Sequence, residues 1–159
     1  MTAQTLDRVL TCYRIGDPNG TYPIFDATGS KLNPGRWNTS ACPIIYTGEH
    51  YSTAMLEKLV HGSGAMPPNQ HYVEITIPNG VSYEVLNAAS LPNWAHATAT
   101  SSKIYGDDWQ RQKRSLLLIV PSVVARIEKN ILINPEHPQF GQIKTSIHQP
   151  IWWDDRLFT

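Results

Sequence analysis

Gly35-Arg36-Trp37-Asn38, Pro43-Ile44-Ile45-Tyr46-Thr47 and Ser52-Thr53-Ala54-Met55-Leu56-Glu57-Lys58-Leu59-Val60-His61 follow one another within one stretch of a 159-residue chain. The first two blocks read as extended segments and the third as a helix. Met55, Leu56, Leu59 and Val60 recur at helical spacing and define an apolar stripe, while Glu57 and His61, four residues apart, share a different face. Ser52 or Thr53 caps the helix start and Gly62 stops it. An arginine and an aromatic ring thus sit on extended segments just before a carboxylate on a helix, which suits a small cleft for an anion and a ring. Periodicity alone reads Glu57 as a solvated acid paired with His61; the cleft reading draws on more of the chain.

Upstream, Leu10 to Ile15 alternates as a strand carrying Arg14, and Asp17-Pro18-Asn19-Gly20 turns the chain. Arg14 reads either as a strand-end arginine paired with a surface carboxylate or as half of a clamp with Arg36, two guanidinium forks for the two charges of a diphosphate. Gly35 lets the backbone pass close to a ligand. Trp37 reads as core, and Tyr46 as a core tyrosine or a ring that stacks on a base.

Downstream, Tyr72–Ile77 and Val81–Leu86 flank Pro78-Asn79-Gly80 and predict a β-hairpin, with Glu74 and Glu84 facing solvent. Lys103 to Lys113 predicts a helix with a charged outer surface. Ser115-Leu116-Leu117-Leu118-Ile119-Val120 is the most hydrophobic run and predicts a central strand stopped by Pro121. Ser115, at its mouth, is placed to bond a ribose, to orient Glu57 or simply to cap the strand through nearby backbone. Ser122 reads as a turn residue. Asn130–Asn134 is another strand, Ile143–His148 a further one, and the Trp152-Trp153 pair is expected to pack and anchor the C-terminus.

Thirteen basic and thirteen acidic side chains cancel, so no global field draws nucleic acid or an anionic membrane. Twelve prolines and ten glycines favour many turns and short elements, hence an α+β fold, and the length suits one compact domain over residues 1–159. Cys12 and Cys42 form no CxxC or zinc spacing and are expected to be buried thiols. Met1 to Val9 lacks the apolar core of a signal peptide, and no run reaches the roughly 20 apolar residues of a membrane helix, so a cytoplasmic location is expected. Neither a Walker loop, a Gly-x-Ser-x-Gly elbow nor an HExxH helix is present, and no metal ligand set is expected.

Tyr13-Arg14-Ile15, Gly35-Arg36-Trp37-Asn38, Ile45-Tyr46-Thr47, Leu56-Glu57-Lys58-Leu59-Val60-His61, Arg114-Ser115-Leu116-Leu117, Val120-Pro121-Ser122, Asn130-Ile131-Leu132-Ile133-Asn134-Pro135 and Asp155-Arg156-Leu157-Phe158, taken in order, closely resemble the RES-domain family. That resemblance implies the toxin of a RES–Xre toxin–antitoxin pair, acting on NAD+ as substrate with no further cofactor. It also implies a mixed, split β-sheet with flanking helices, similar to ADP-ribosyltransferase folds. The family letters fall on Arg36, Glu57 and Ser115 as catalytic residues, with Arg14, Arg36, Tyr46, Ser115 and His61 at the NAD site. The implied partner is an Xre-type antitoxin that blocks the cleft and itself carries the DNA binding. The acceptor stays open: water (glycohydrolase), phosphate (phosphorylase) or a protein side chain (ADP-ribosyltransferase). A non-catalytic nucleotide- or protein-binding domain is the competing class.

Overall fold

The computed structural model describes residues 3–158, so the extreme ends of the expected 1–159 domain, and the first two residues of the Met1–Val9 segment, lie outside the described residues. The strands are β1 (Gln4–Thr5), β2 (Leu10–Gly16), β3 (Ile45–Gly48), β4 (His71–Ile77), β5 (Ser82–Val85), β6 (Leu117–Pro121), β7 (Lys129–Ile133), β8 (Lys144–Thr145) and β9 (Gln149–Pro150). Three helices, α1 (Thr28–Leu32), α2 (Tyr51–Val60) and α3 (Thr100–Gln112), complete an α+β fold. The strand order is β1-β5-β6-β7-β3-β2-β4-β8, with β9 also on β4. The β5–β6 pair is parallel and its neighbours are antiparallel, which makes the sheet mixed.

The predicted hairpin does not form. β4 pairs with β2, β8 and β9, whereas β5 pairs with β1 and β6. Leu6 takes the hydrogen bonds a hairpin would have used: its amide donates to the Val81 carbonyl and its carbonyl accepts from Gly80, each at 2.9 Å. Gly80 permits this with φ +90°. The link from Ile77 to Ser82 is five steps and spans no more than ~18 Å, so two strands far apart in the sheet order are drawn together and the sheet must curl.

The curled sheet has an apolar cluster on each face. Along β6, Leu117 and Ile119 enter the cluster with Ile75, Ile77 and Ile131, while Leu118 and Val120 enter the one with Trp37, Trp94 and Trp109. The expected central strand is therefore present, flanked by β5 and β7. Helix α3 covers the second face at very close range, because a Cβ on Gly106 would fall 1.7 Å from the Trp37 carbonyl oxygen.

Two charged residues expected on the outside are inside. Glu84 has no exposed surface and receives Arg114 Nε and Nη2 at 3.1 and 3.3 Å. Asp107 of α3 accepts from the Thr39 amide at 2.8 Å and its hydroxyl at 2.6 Å, fastening the helix to the loop before β3. The predicted strand at Ile143–His148 is instead two short pairings, β8 and β9, on β4. Of the tryptophan pair, Trp153 packs edge-on against Phe158 and Trp152 is 78 % exposed. Cys12 and Cys42 are buried free thiols. No helix among the described residues is long and apolar enough to cross a membrane.

Candidate active site

Helix α2 sets the site, and Gly48 sets α2. A Cβ on Gly48 would meet the Ala54 amide nitrogen at 2.9 Å, so the missing side chain lets the start of the helix press onto β3. Thr53 and Ala54 are the buried residues of the helix, and the Thr53 hydroxyl donates to the Glu128 carboxylate. The expected apolar stripe is thereby only half covered: Met55 and Leu59 are half-buried, while Leu56 is 39 % and Val60 57 % exposed. The same placement aims Glu57 and Lys58 into a cleft of about 1160 Å³. No serine or threonine side chain caps the helix; His50 stands at the N-cap and accepts the Ala54 amide through its carbonyl.

Glu57 accepts a hydrogen bond at Oε1 from Ser122 Oγ, at 2.9 Å. Ser122 is fully buried and cannot drift. Its amide donates to the Glu128 carbonyl at 3.0 Å and its oxygen accepts the Ala125 amide at 3.1 Å. No hydrogen bond occupies Oε2 of Glu57 among the described residues, which leaves one carboxylate oxygen for whatever enters the cleft.

Arg14, Arg36, Tyr46 and His61 line that cleft with Glu57. Arg14 is largely engaged by the protein itself: Nε donates to the Ile24 carbonyl at 2.6 Å, Nη1 to Tyr46 at 2.8 Å and Nη2 to Asp26 at 3.5 Å. Burial pulls its pKa below the ordinary guanidinium value, more than the nearby Asp26, Tyr22 and Tyr46 raise it. Arg36 uses Nη1 on the carbonyls of Trp94 at 3.1 Å and His96 at 2.7 Å, tying the 94–99 wall to the cleft. Tyr46 donates to Asn38 Oδ1 at 2.6 Å and accepts the Trp37 amide at 3.0 Å, and burial pushes its phenol well up. Its ring fills the space a Gly35 side chain would take, at 2.7 Å, so the glycine accommodates Tyr46 rather than a ligand. His61 caps the end of α2 and is exposed, with no hydrogen bond to Glu57 among the described residues.

Ser115 is elsewhere. It is fully buried, accepts from Trp109 Nε1 at 2.8 Å, donates to the Leu117 carbonyl at 2.7 Å and is absent from the cleft lining. The predicted placement beside ribose or Glu57 fails because Ser115 enters β6 at one end while the cleft opens at the other, after Pro121. The hydroxyl that reaches Glu57 belongs to Ser122, seven residues on and just past the strand's end.

Sequence reasoning also passed over Lys58, Lys103 and Asn130, all in the lining. Among the described residues no donor reaches Asn130 Oδ1, which is shut from solvent. Lys58 follows Glu57 directly, and burial, then the nearby Arg14, lowers its pKa. Among described residues the cleft holds Arg14, Arg36, Lys58 and Lys103 against one carboxylate, although the whole chain is neutral.

A family model described as the RES domain matches residues 11–154. The chain belongs to the RES-domain family. It is 37 % identical over 152 residues to the Prs ADP-ribosylating toxin of Sphingobium sp. (strain YBL2), covering 91 % of this chain and 94 % of that one. It is 31 % identical over 140 residues to Toxin Res of Pseudomonas putida, covering 86 % and 94 % respectively. Among solved structures, the M. tuberculosis MbcT–MbcA toxin–antitoxin complex contains a chain with the same fold, at TM-score 0.72 and 14 % identity, over 92 % of this chain and 86 % of that one. A RES domain of this sequence thus builds its basic cleft around a single acid oriented by a buried serine.

Proposed function

We propose that this RES domain is the toxin of a toxin–antitoxin pair and cleaves the nicotinamide–ribose bond of NAD+ in the cytoplasm. The observation that carries the proposal is the Ser122–Glu57 contact in an otherwise cationic cleft. When the C–N bond breaks, its electron pair leaves with neutral nicotinamide and positive character develops on the ribose. A carboxylate fixed beside that carbon stabilises it and can take the proton of an incoming nucleophile, as in glycoside cleavage. Ser122 holds Oε1 of Glu57, so Oε2 faces the reaction. The cationic wall takes the diphosphate, with Arg36 offering its unused Nε and Nη2. Tyr46 offers a ring to a base, and His61 closes the rim.

Water as acceptor makes the enzyme a glycohydrolase, and phosphate a phosphorylase. A second reading, ADP-ribosyl transfer to a protein, is supported by the 37 % identical relative, whose name describes that activity. Family membership and the toxin–antitoxin complex with a similar fold support an antitoxin partner; our reading makes it an Xre-type protein that covers the cleft. The test is to incubate antitoxin-free protein with NAD+, with and without phosphate, and to identify products. Free nicotinamide is expected in each case; intact NAD+ after long incubation overturns the reading. Phosphate-dependent turnover separates phosphorolysis from hydrolysis, and a labelled protein band from labelled NAD+ marks transfer.

A further inference from the structure

The five ion pairs among the described residues, Arg8–Asp7, His50–Glu49, Arg111–Asp108, Arg114–Glu84 and Arg156–Asp154, all lie outside the cleft. The four cleft cations have none. Arg14 is half-satisfied by backbone carbonyls, which accept its hydrogens but do not cancel its charge. Asp26, the acid whose charge Arg14 feels, turns its carboxylate to the Thr28 amide at 2.6 Å. Lys58 lines the same cleft from α2, partly buried, near enough to Arg14 to feel its charge and with no hydrogen bond or ion pair to a described residue. Two like charges brought together out of water, with no acid between them, repel each other and lose hydration. Such an arrangement is relieved by an anion from outside.

We propose that Lys58 and Arg14 together form an anion subsite for the diphosphate of the dinucleotide, in which Arg14 is a fixed, backbone-held charge and Lys58 is the mobile group that contacts phosphate oxygen. The inference rests on the NAD+ reading above and refines it. Because Arg14 commits Nε and one hydrogen of each terminal nitrogen to carbonyls, it cannot present a full fork to a phosphate. Lys58 carries three free donors on a flexible stem and stands one residue from Glu57, so the anchor of the substrate and the acid that stabilises its ribose ride on the same helix turn. This shared mounting keeps their separation fixed when α2 shifts as a body.

The subsite is tested by calorimetry with ADP-ribose, which needs no catalysis, alongside steady-state NAD+ cleavage, using the full chain. Lys58→Gln is expected to weaken ADP-ribose and raise the KM for NAD+ on the order of 10- to 100-fold, the size of one charge-assisted hydrogen bond, with kcat changed far less. Lys58→Arg is expected to restore most of the binding, and nicotinamide riboside, which has no phosphate, to be cleaved equally by both variants and the wild type. ADP-ribose binding to Lys58→Gln at wild-type affinity overturns the subsite while leaving NAD+ cleavage by the wild type standing. If Lys58→Gln alters only the inorganic phosphate concentration needed for turnover, the cation pair serves the acceptor and the diphosphate assignment fails. A wild-type protein that neither binds ADP-ribose nor consumes NAD+ overturns both readings.

Discussion

Two serine–carboxylate pairs bracket the central strand β6, and they have opposite fates. At its entrance Ser115 lies 3.5 Å from Glu84, whose charge is met by Arg114 and whose surroundings also include the Trp109 ring nitrogen on the serine. At its exit Ser122 binds Glu57, which has no cation within ion-pair distance among the described residues and keeps one oxygen free. The first pair is saturated and sealed; the second is under-coordinated and open to a cleft. The same two residue types thus fill their hydrogen-bonding capacity at one end of the strand and leave an acceptor oxygen open at the other.

Exchanging charge for a neutral isostere separates the two most widely. Glu57→Gln is expected to cut NAD+ cleavage at least ~10³-fold, a loss of roughly 4 kcal/mol of transition-state stabilisation, with the melting temperature nearly unchanged. Glu84→Gln is expected to do the reverse, lowering stability by about 3 kcal/mol because Arg114 keeps its charge without its partner, while the activity of folded molecules persists. Thermal melts and initial rates on the same preparations decide it, and equal effects on both readouts for either variant would erase the distinction.

The serines sharpen it at smaller amplitude. Ser122→Ala is expected to lower kcat about 10- to 100-fold by releasing Glu57 from one orientation. Ser115→Ala is expected to cost about 1–3 kcal/mol by orphaning the Trp109 N–H, with kcat preserved. A Ser115→Ala enzyme that folds normally but has lost turnover would return the catalytic role to that residue.

The weakest effect lies on β2, under the site. Burial pushes the Cys12 thiol up to about 12 from an ordinary 9.0. Between those values the unfolded chain releases the proton and the folded one keeps it, so this contribution to stability is complete below pH 9 and is lost as pH rises toward 12. At pH 10 the loss is roughly 1.4 kcal/mol. Cys12→Val is expected to flatten that part of the melting-temperature profile; an unchanged alkaline slope would remove Cys12 as its source.

Much of this contrast was hidden in the sequence for a geometric reason. The strands around Arg14, Tyr46, Leu118 and Ile131, the helix carrying Glu57, and the family resemblance were all legible, because local alternation and ordered motifs encode them. Which end of β6 opens to solvent depends on the sheet order, and that depends on pairings between residues far apart in the chain. Ser115 and Ser122 both fall inside family motifs, and local sequence does not say which of the two hydroxyls reaches Glu57; the structure gives that contact to Ser122. Glu84 was misplaced for the same reason, since its partner Arg114 comes thirty residues later. The hairpin failed because Pro78-Asn79-Gly80 encodes a change of direction but not the strand that Leu6 supplies. The orientation of α2 turned on the absent side chain of Gly48, a signal that no apolar periodicity contains.

Gly106 has a wider consequence than its place in α3 suggests. The backbone of Trp37 touches the helix where that residue has no side chain, and Arg36, next along the chain, grips the 94–99 segment that leads into the same helix. A single methyl group at 106 would overlap the Trp37 carbonyl, so the backbone of a residue that itself lines the cleft would have to give way. The bare backbone at 106 is thus a condition for the cleft's shape although the residue lies outside its lining.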